Sequence, residues 1–184
     1  MKRLFIFLTI FSLGYINAFA QEQRDIDKIR AYYYDLKAQI NKGLIDSIKF
    51  EEQVDNELHR YLVFQNYKAL KLIVKSGSDG EMTAFKYEYL FHNDSLIFIF
   101  THDFRLIEHW SVNDGNPKCL VEEYRQYIKN EDCIRALYKS IEGFEEDNLF
   151  ELIDSIPNKE LETCDSFKID EALIVLKKCK EMIK

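Results

Sequence analysis

"KYEYLFHNDSLIFIFTHDF", residues 86–104, is the stretch on which the fold turns. Tyr87, Tyr89 and Phe91 alternate along its first arm. Leu96, Phe98 and Phe100 alternate along its second, with His92-Asn93-Asp94-Ser95 between them. Strict alternation marks a strand with one buried face, and Asn-Asp suits a tight turn because both residues tolerate positive φ. Centring the turn on Asn93 and Asp94 sets Phe91 opposite Leu96, Tyr89 opposite Phe98 and Tyr87 opposite Phe100. Lys86, Glu88, Leu90, Ile97, Ile99 and Thr101 then share the other face. The preceding turn signal, "SGSDG" (76–80), centred on Ser78 and Asp79, sets Leu72 opposite Phe85 and Leu70 opposite Tyr87. Both turns select the same aromatic face, and a one-residue slip in either would break the match.

Size decides what that face is for. Each aromatic side chain can cover about 150–250 Å², so the face left open would approach 1,000 Å², above the roughly 300–600 Å² of the largest patch on an ordinary monomer. It is therefore expected to be core, sealed by helices. Residues 22–42 offer one cover: Ile26, Ile29, Tyr33, Leu36 and Ile40 form a single stripe, with Gly43 placed as a carboxy-terminal cap. "FKIDEALIVLKKCKEMIK" (167–184) offers another, with Ile169, Leu173, Leu176 and Ile183 as its apolar positions and lysines near its end. "NLFELIDSI" (148–156) reads as a short helix stopped by Pro157. The second sheet face, with Ile73, Leu90, Ile97 and Ile99, is mixed. It requires a second helix, a curved sheet or a partner.

Strand phrases continue on both sides: "HRYLVF", "YKALKLIVK", "EMTAFKYEYLF", "LIFIFT", "FRLIEHWSV", "CLVEEYRQYI" and "CIRALYKSI". "SIKFEE", within the ambiguous residues 44–58, could add a short one. These are about seven strands on short connections, which favours antiparallel neighbours in sequence order. The expected fold is α+β: an antiparallel meander packed by an amino-terminal helix and carboxy-terminal helices.

The amino terminus carries a targeting layout. Lys2 and Arg3 precede the apolar run Leu4–Leu13, and Ala18 and Ala20 place a small-x-small site before Gln21. That is the order of a secretory signal peptide, residues 1–20, cut between Ala20 and Gln21. The apolar run is short of the ~20 residues a membrane span needs. Residues 21–184 would then be one domain, periplasmic or secreted, with 23 basic against 32 acidic residues, a charge of −9. An acidic chain disfavours nucleic acid and anionic membrane surfaces as partners.

Cys119, Cys133, Cys164 and Cys179 make an even set for an oxidising compartment. If "KNED" (129–132) joins two strands, Cys119 and Cys133 stand roughly 25–30 Å apart at ~3.3 Å per residue, whereas a disulfide needs Cα atoms within about 7 Å. Bridges from the sheet to the carboxy-terminal segment are favoured, four unpaired thiols being the alternative. Without a CxxC pair, a redox motif or zinc ribbon is unsupported. His102-Asp103 and Glu108-His109 cannot converge on one metal, because adjacent strand residues point to opposite faces. His59 and His92 have no such neighbour. No cofactor motif is present. Among Glu108, Glu122 and Glu123, a symmetric loop at 113–118 would bring Glu108 close to Glu123, a carboxylate pair of the kind glycan hydrolases use. Like charges set opposite each other weaken a ladder unless compensated, so a solvated face is preferred.

"AFAQ", "YEYLFHNDSLIFIF" and "EEYRQYIKNEDCIRAL" resemble small exported proteins of Bacteroidota with no assigned activity, over about residues 22–141. The resemblance is to a helix followed by aromatic hairpins and implies no catalytic residue. The Asp-Ser-aliphatic triplets at 46–48, 94–96 and 154–156 resemble the pattern at which such bacteria O-glycosylate exported proteins, which implies Ser47, Ser95 and Ser155 as acceptors. The reading that emerges is a non-enzymatic binding or interaction protein whose partner is an unknown protein or glycan. A Glu108/Glu123 hydrolase and an inhibitor or immunity-type partner are its rivals.

Overall fold

The computed structural model describes residues 2–54, 57–67, 69–78, 83–108 and 117–183, with side chains from Ala20 onward except those of Glu108 and Glu145. Helix α1 (Lys2–Asn41) leads into an eight-stranded antiparallel sheet: β1 (Asp46–Val54), β2 (Glu57–Asn66), β3 (Ala69–Ser78), β4 (Thr83–His92), β5 (Ser95–Glu108), β6 (Lys118–Lys129), β7 (Asp132–Phe144) and β8 (Lys159–Leu161). Every strand pairs with its neighbour in sequence, so the sheet is the expected α+β meander. A short helix, α2 (Leu149–Leu152), precedes β8, and α3 (Ser166–Met182) follows it. "LIFIFT" and the "FRLIE" of "FRLIEHWSV" lie in one continuous strand, β5, rather than in two. "SIKFEE" lies in β1, paired along its whole length with β2. Gly43 takes φ +69°, as a cap after a helix allows.

Three hairpins at one end of the sheet are built alike. Asn66 pairs with Ala69, His92 with Ser95 and Lys129 with Asp132, so each turn has two residues. Asn93 and Asp94 both have positive φ, as do Asn130 and Glu131, which matches strand twist. In each hairpin the third residue of the returning strand is an extra one: Lys71, Ile97 and Ile134 fall where the register shifts. Such a bulge turns every later side chain to the other face.

The bulge at Ile97 corrects the expected pairing. Phe91 does face Leu96, but Tyr89 then faces Ile99 and Tyr87 faces Thr101. Phe98 and Phe100 cross to the opposite side. The β3–β4 turn also lies further along than expected, so Leu72 meets Leu90, and Gly77 meets Phe85. Asp79, Gly80, Asp114, Gly115 and His109 lie outside the described residues.

The crossing gives each face its own aromatic share and its own helix. On one face Tyr61, Val63, Ile73, Tyr89, Phe91 and Ile99 pack under α3, through Ala172, Val175, Leu176 and Cys179. On the other, Phe64, Leu72, Leu90, Phe98 and Tyr127 pack under α1, through Ile26, Ile29 and Leu36. Further along that second face, α2 and the turn after it cover Cys119 and Val121 with Leu149 and Ile153. Tyr89 and Phe91 are fully buried and Phe98 is 5% exposed, so the aromatic ribbon is core. Leu173, expected on the α3 stripe, is instead half exposed, and Ala172 and Val175 carry the contact.

Asp165 caps α3, its carboxylate accepting from the backbone N–H groups of Phe167 and Lys168. The lysines of α3 serve as ties as well as a dipole match. Lys178 pairs with Glu52 of β1, and Lys180 with Asp94 at 3.4 Å. Lys75 of β3 donates to Glu171 at 2.7 Å. One disulfide, Cys133–Cys164, joins β7 to the segment before α3 with Cα atoms 6.2 Å apart, a sheet-to-carboxy-terminal bridge. Cys119 pairs in register with Gly143 at the far end of the β6–β7 ladder, as its distance from Cys133 required. Cys179 is a buried thiol in the α3 core, its pKa pushed up to about 11 by burial. No helix among the described residues is long and apolar enough to cross a membrane.

Candidate functional site

The α3 face is not covered to its end. Beyond the amino terminus of α3, the strands β4, β5 and β6 form a cleft of about 360 Å³ that includes Tyr87, Asp103, Arg105, Glu122, Tyr124 and Lys168 in its walls. Strand alternation puts these residues here: Thr101, Asp103 and Arg105 follow Ile99 at every second position, and Asp103 is the register partner of Glu122. Two carboxylates directly opposite would repel, and each has its own compensation. The Tyr87 hydroxyl donates to Asp103 at 2.9 Å. Glu122 accepts from Arg105, and from the Tyr138 hydroxyl at 2.8 Å. The Lys168 ammonium sits 3.8 Å from the centre of the Tyr87 ring, a cation–π contact.

Burial pushes the Asp103 carboxyl above the usual range, and Glu122 adds to the rise. Lys168 and the Tyr87 bond oppose it without prevailing. Burial, then Glu122, pushes the Tyr124 hydroxyl up to about 12. The pair is asymmetric in its surroundings: burial disfavours the charged form of Asp103, whereas Glu122 is met by the Arg105 guanidinium.

A smaller chamber of about 130 Å³ adjoins the cleft, and the two share Tyr124 and Asp165. Its other walls are Gln126, Ala136, Leu161, Thr163 and Cys164, so β8 and the disulfide close it. Gln126 is only 2% exposed, yet neither its amide nitrogen nor its amide oxygen has a hydrogen-bond partner. The Thr101 hydroxyl, one row away, is likewise fully buried and unpartnered.

The opposite face holds its charges differently. Glu88 is buried under α1 and accepts from Tyr33 at 2.7 Å and Lys37 at 3.0 Å, with Lys86 at 2.9 Å. Burial pushes its carboxyl up, but those three partners outweigh burial and the net shift is downward. Glu123 meets Lys139 at 3.0 Å and Arg125 at 3.1 Å. His102 lies 3.7 Å from Glu123; burial holds its pKa below the ordinary value, with Glu123 opposing.

The expected sites fall apart in space. Glu123 pairs in register with His102, whereas Glu108 pairs with Lys118. Five positions along a strand at ~3.3 Å each separate them by about 16 Å, far beyond the 5–9.5 Å that carboxylate pairs use on a glycosidic bond. The β5–β6 ladder is paired five to six positions away from the symmetric register, one of them contributed by the bulge at Ile107. Among the described residues no His, Cys, Asp and Glu cluster could hold a metal ion. His59 Nε2 donates to the Glu57 carboxylate at 3.1 Å, and His92 stacks edge-on with Tyr32. Ser47, Ser95 and Ser155 are all exposed. Glu122 stands out in the sequence among the candidate acids, but its pairing with Asp103 and the burial of Gln126 do not. A polar Gln at an inward position of "CLVEEYRQYI" was the available signal.

No family model matches the chain, and neither the curated proteins nor the solved structures hold a match to it.

Proposed function

We propose that the chain is an exported, non-enzymatic binding protein whose ligand site is the cleft and chamber beside α3, and that its ligand is a neutral, hydroxyl-bearing molecule such as a saccharide unit. The observation that carries this reading is the Gln126 amide, a buried donor and acceptor pair without partners. Leaving such a group unsatisfied costs about 1–3 kcal/mol. A hydroxyl both donates and accepts, so ligand hydroxyls match an amide and the Thr101 side chain. Tyr124 lines both the cleft and the chamber, and its ring, packed 4.6 Å between centroids against Tyr138, offers aromatic surface to a ligand.

Saccharide titration followed by NMR tests it. The wild-type protein is expected to bind at least one mono- or disaccharide saturably, and Gln126→Met to weaken it tenfold or more while keeping the fold. Saccharide binding that ignores Gln126→Met removes the site. A second reading has one observation in its favour, the asymmetric Asp103/Glu122 pair: carboxyl groups with such different surroundings can act as acid and nucleophile on a glycosidic bond. Glycan cleavage that Glu122→Gln abolishes would replace the binding reading with this one.

Export is supported by the signal-like residues 1–20 and by a disulfide, which persists in oxidising compartments. Removal of residues 1–20 leaves the core contacts that α1 makes through Ile26, Ile29 and Leu36 in place. The mass of the natively produced chain should start at Gln21, and hexose-type additions on Ser47, Ser95 or Ser155 would appear in the same spectrum. An uncut, unmodified mass contradicts both.

A further inference from the structure

A second recess lies on the opposite face, where neither α1 nor α2 covers the middle of β5 and β6. It is a groove of about 560 Å³ with Phe98, Phe100 and Tyr127 among its walls, Tyr33 and Tyr34 on the α1 side, and two arginines, Arg30 and Arg125. Tyr34 stands 68% exposed at the edge.

Both guanidiniums are held in place. Arg30 donates through Nε to the Tyr127 hydroxyl at 2.9 Å and lies 5.3 Å from the centre of that ring. Arg125 lies 5.5 Å from the centre of the Phe100 ring and donates to Glu123. Each arginine has five N–H donors, so most remain for a further acceptor.

The charge balance beneath the groove favours an anion. Glu88 and Glu123 are the buried carboxylates there, and each is already met by two cations: Lys37 and Lys86, and Lys139 and Arg125. The acids nearer solvent, Asp27 at 4.0 Å from Arg30 and Asp154 at 3.4 Å from Lys139, are both strongly exposed and so weakly coupled. A chain of formal charge −7 therefore presents a locally cationic groove with an aromatic floor. Planar guanidiniums match a carboxylate, and aromatic walls match a flat apolar ring.

We propose that this groove binds a small aromatic carboxylate. It is a different site from the α3 chamber and stands or falls independently. N-acetyl-phenylalanine and N-acetyl-phenylalaninamide differ only in the carboxylate, and titration of each by NMR or calorimetry at low salt reads the groove directly. The acid should bind saturably, at least tenfold more tightly than the amide, and more weakly as salt rises. Arg30→Gln, a substitution at the partly exposed edge, should cost tenfold or more in affinity for the acid with an unchanged circular dichroism spectrum. Arg125→Lys, which keeps the charge against Glu123 but loses the fork, should also weaken it. Gln126→Met should leave it unaffected. Acid and amide binding alike, no saturable binding of the acid, or an Arg30→Gln protein that keeps full affinity each overturns the proposal.

Discussion

On the α1 face, the carboxylates of Glu88 and Glu123 are deeply buried and each is met by two cations. On the α3 face, the amide of Gln126 and the hydroxyl of Thr101 are buried equally deeply and meet nothing in the protein. The difference follows from cost. An uncompensated buried charge is worth several kcal/mol against folding, so the fold supplies partners. A neutral amide left alone costs about 1–3 kcal/mol, which a domain can carry where the group has other work. His102 is the partial exception on the α1 side: its Nε2 is buried without a partner, and burial keeps the ring leaning neutral. The buried charges of the α1 face are compensated by the fold itself, whereas the neutral polar groups of the α3 face are left for the proposed hydroxyl-bearing ligand.

Substitutions can break this contrast. Phe91→Ala, in the shared core under α3, should destabilise by about 3–5 kcal/mol in urea unfolding. Phe150→Ala, at a ring 52% exposed over Phe104 and His102, should stay within about 0.5 kcal/mol, as exposed positions do. Equal losses would mean that the aromatic ribbon is not the centre of the core. Cys133→Ser opens a bridge spanning 31 residues, for which chain entropy gives about 3–4 kcal/mol. It should also weaken saccharide binding, since Cys164 forms a wall of the chamber. Stability unaffected by this substitution would show that β8 and its strap hold without the bridge.

A smaller effect sharpens the account of the cleft. Burial raises the folded-state pKa of Asp103, so the ionised form disfavours the fold. Its favourable contribution is full below the unfolded value near 3.8 and is lost as pH rises through the folded one. Asp103→Asn keeps an acceptor for Tyr87 and should raise the melting temperature at pH 7. The gain should vanish as pH falls towards 4. A gain that persists at acid pH would assign the effect to something other than ionisation.

The meander, the covering helices and a sheet-to-tail disulfide were legible in the alternation of residues 59–141 and in the spacing of the cysteines. The faces were not. A bulge carries no composition of its own, and the one at Ile97 moved Phe98 and Phe100 to the α1 side while leaving Tyr87, Tyr89 and Phe91 under α3. The site shared that fate. Pairing Glu108 with Glu123 assumed a symmetric loop, and the bulge at Ile107 with a different β5–β6 register set Asp103 against Glu122 instead. An inward Gln is visible in sequence only once the register is known.

The contrast between the faces is tested most directly by making the same kind of exchange, polar to methionine, on each and measuring unfolding free energy side by side. Lys139→Met removes a cation from the buried Glu123 and should cost about 3–5 kcal/mol. Gln126→Met removes an amide without partners and should stabilise the protein by roughly 1 kcal/mol or more. Destabilisation by both exchanges would contradict the account, because the Gln126 amide would then be held by bonds that belong to the fold.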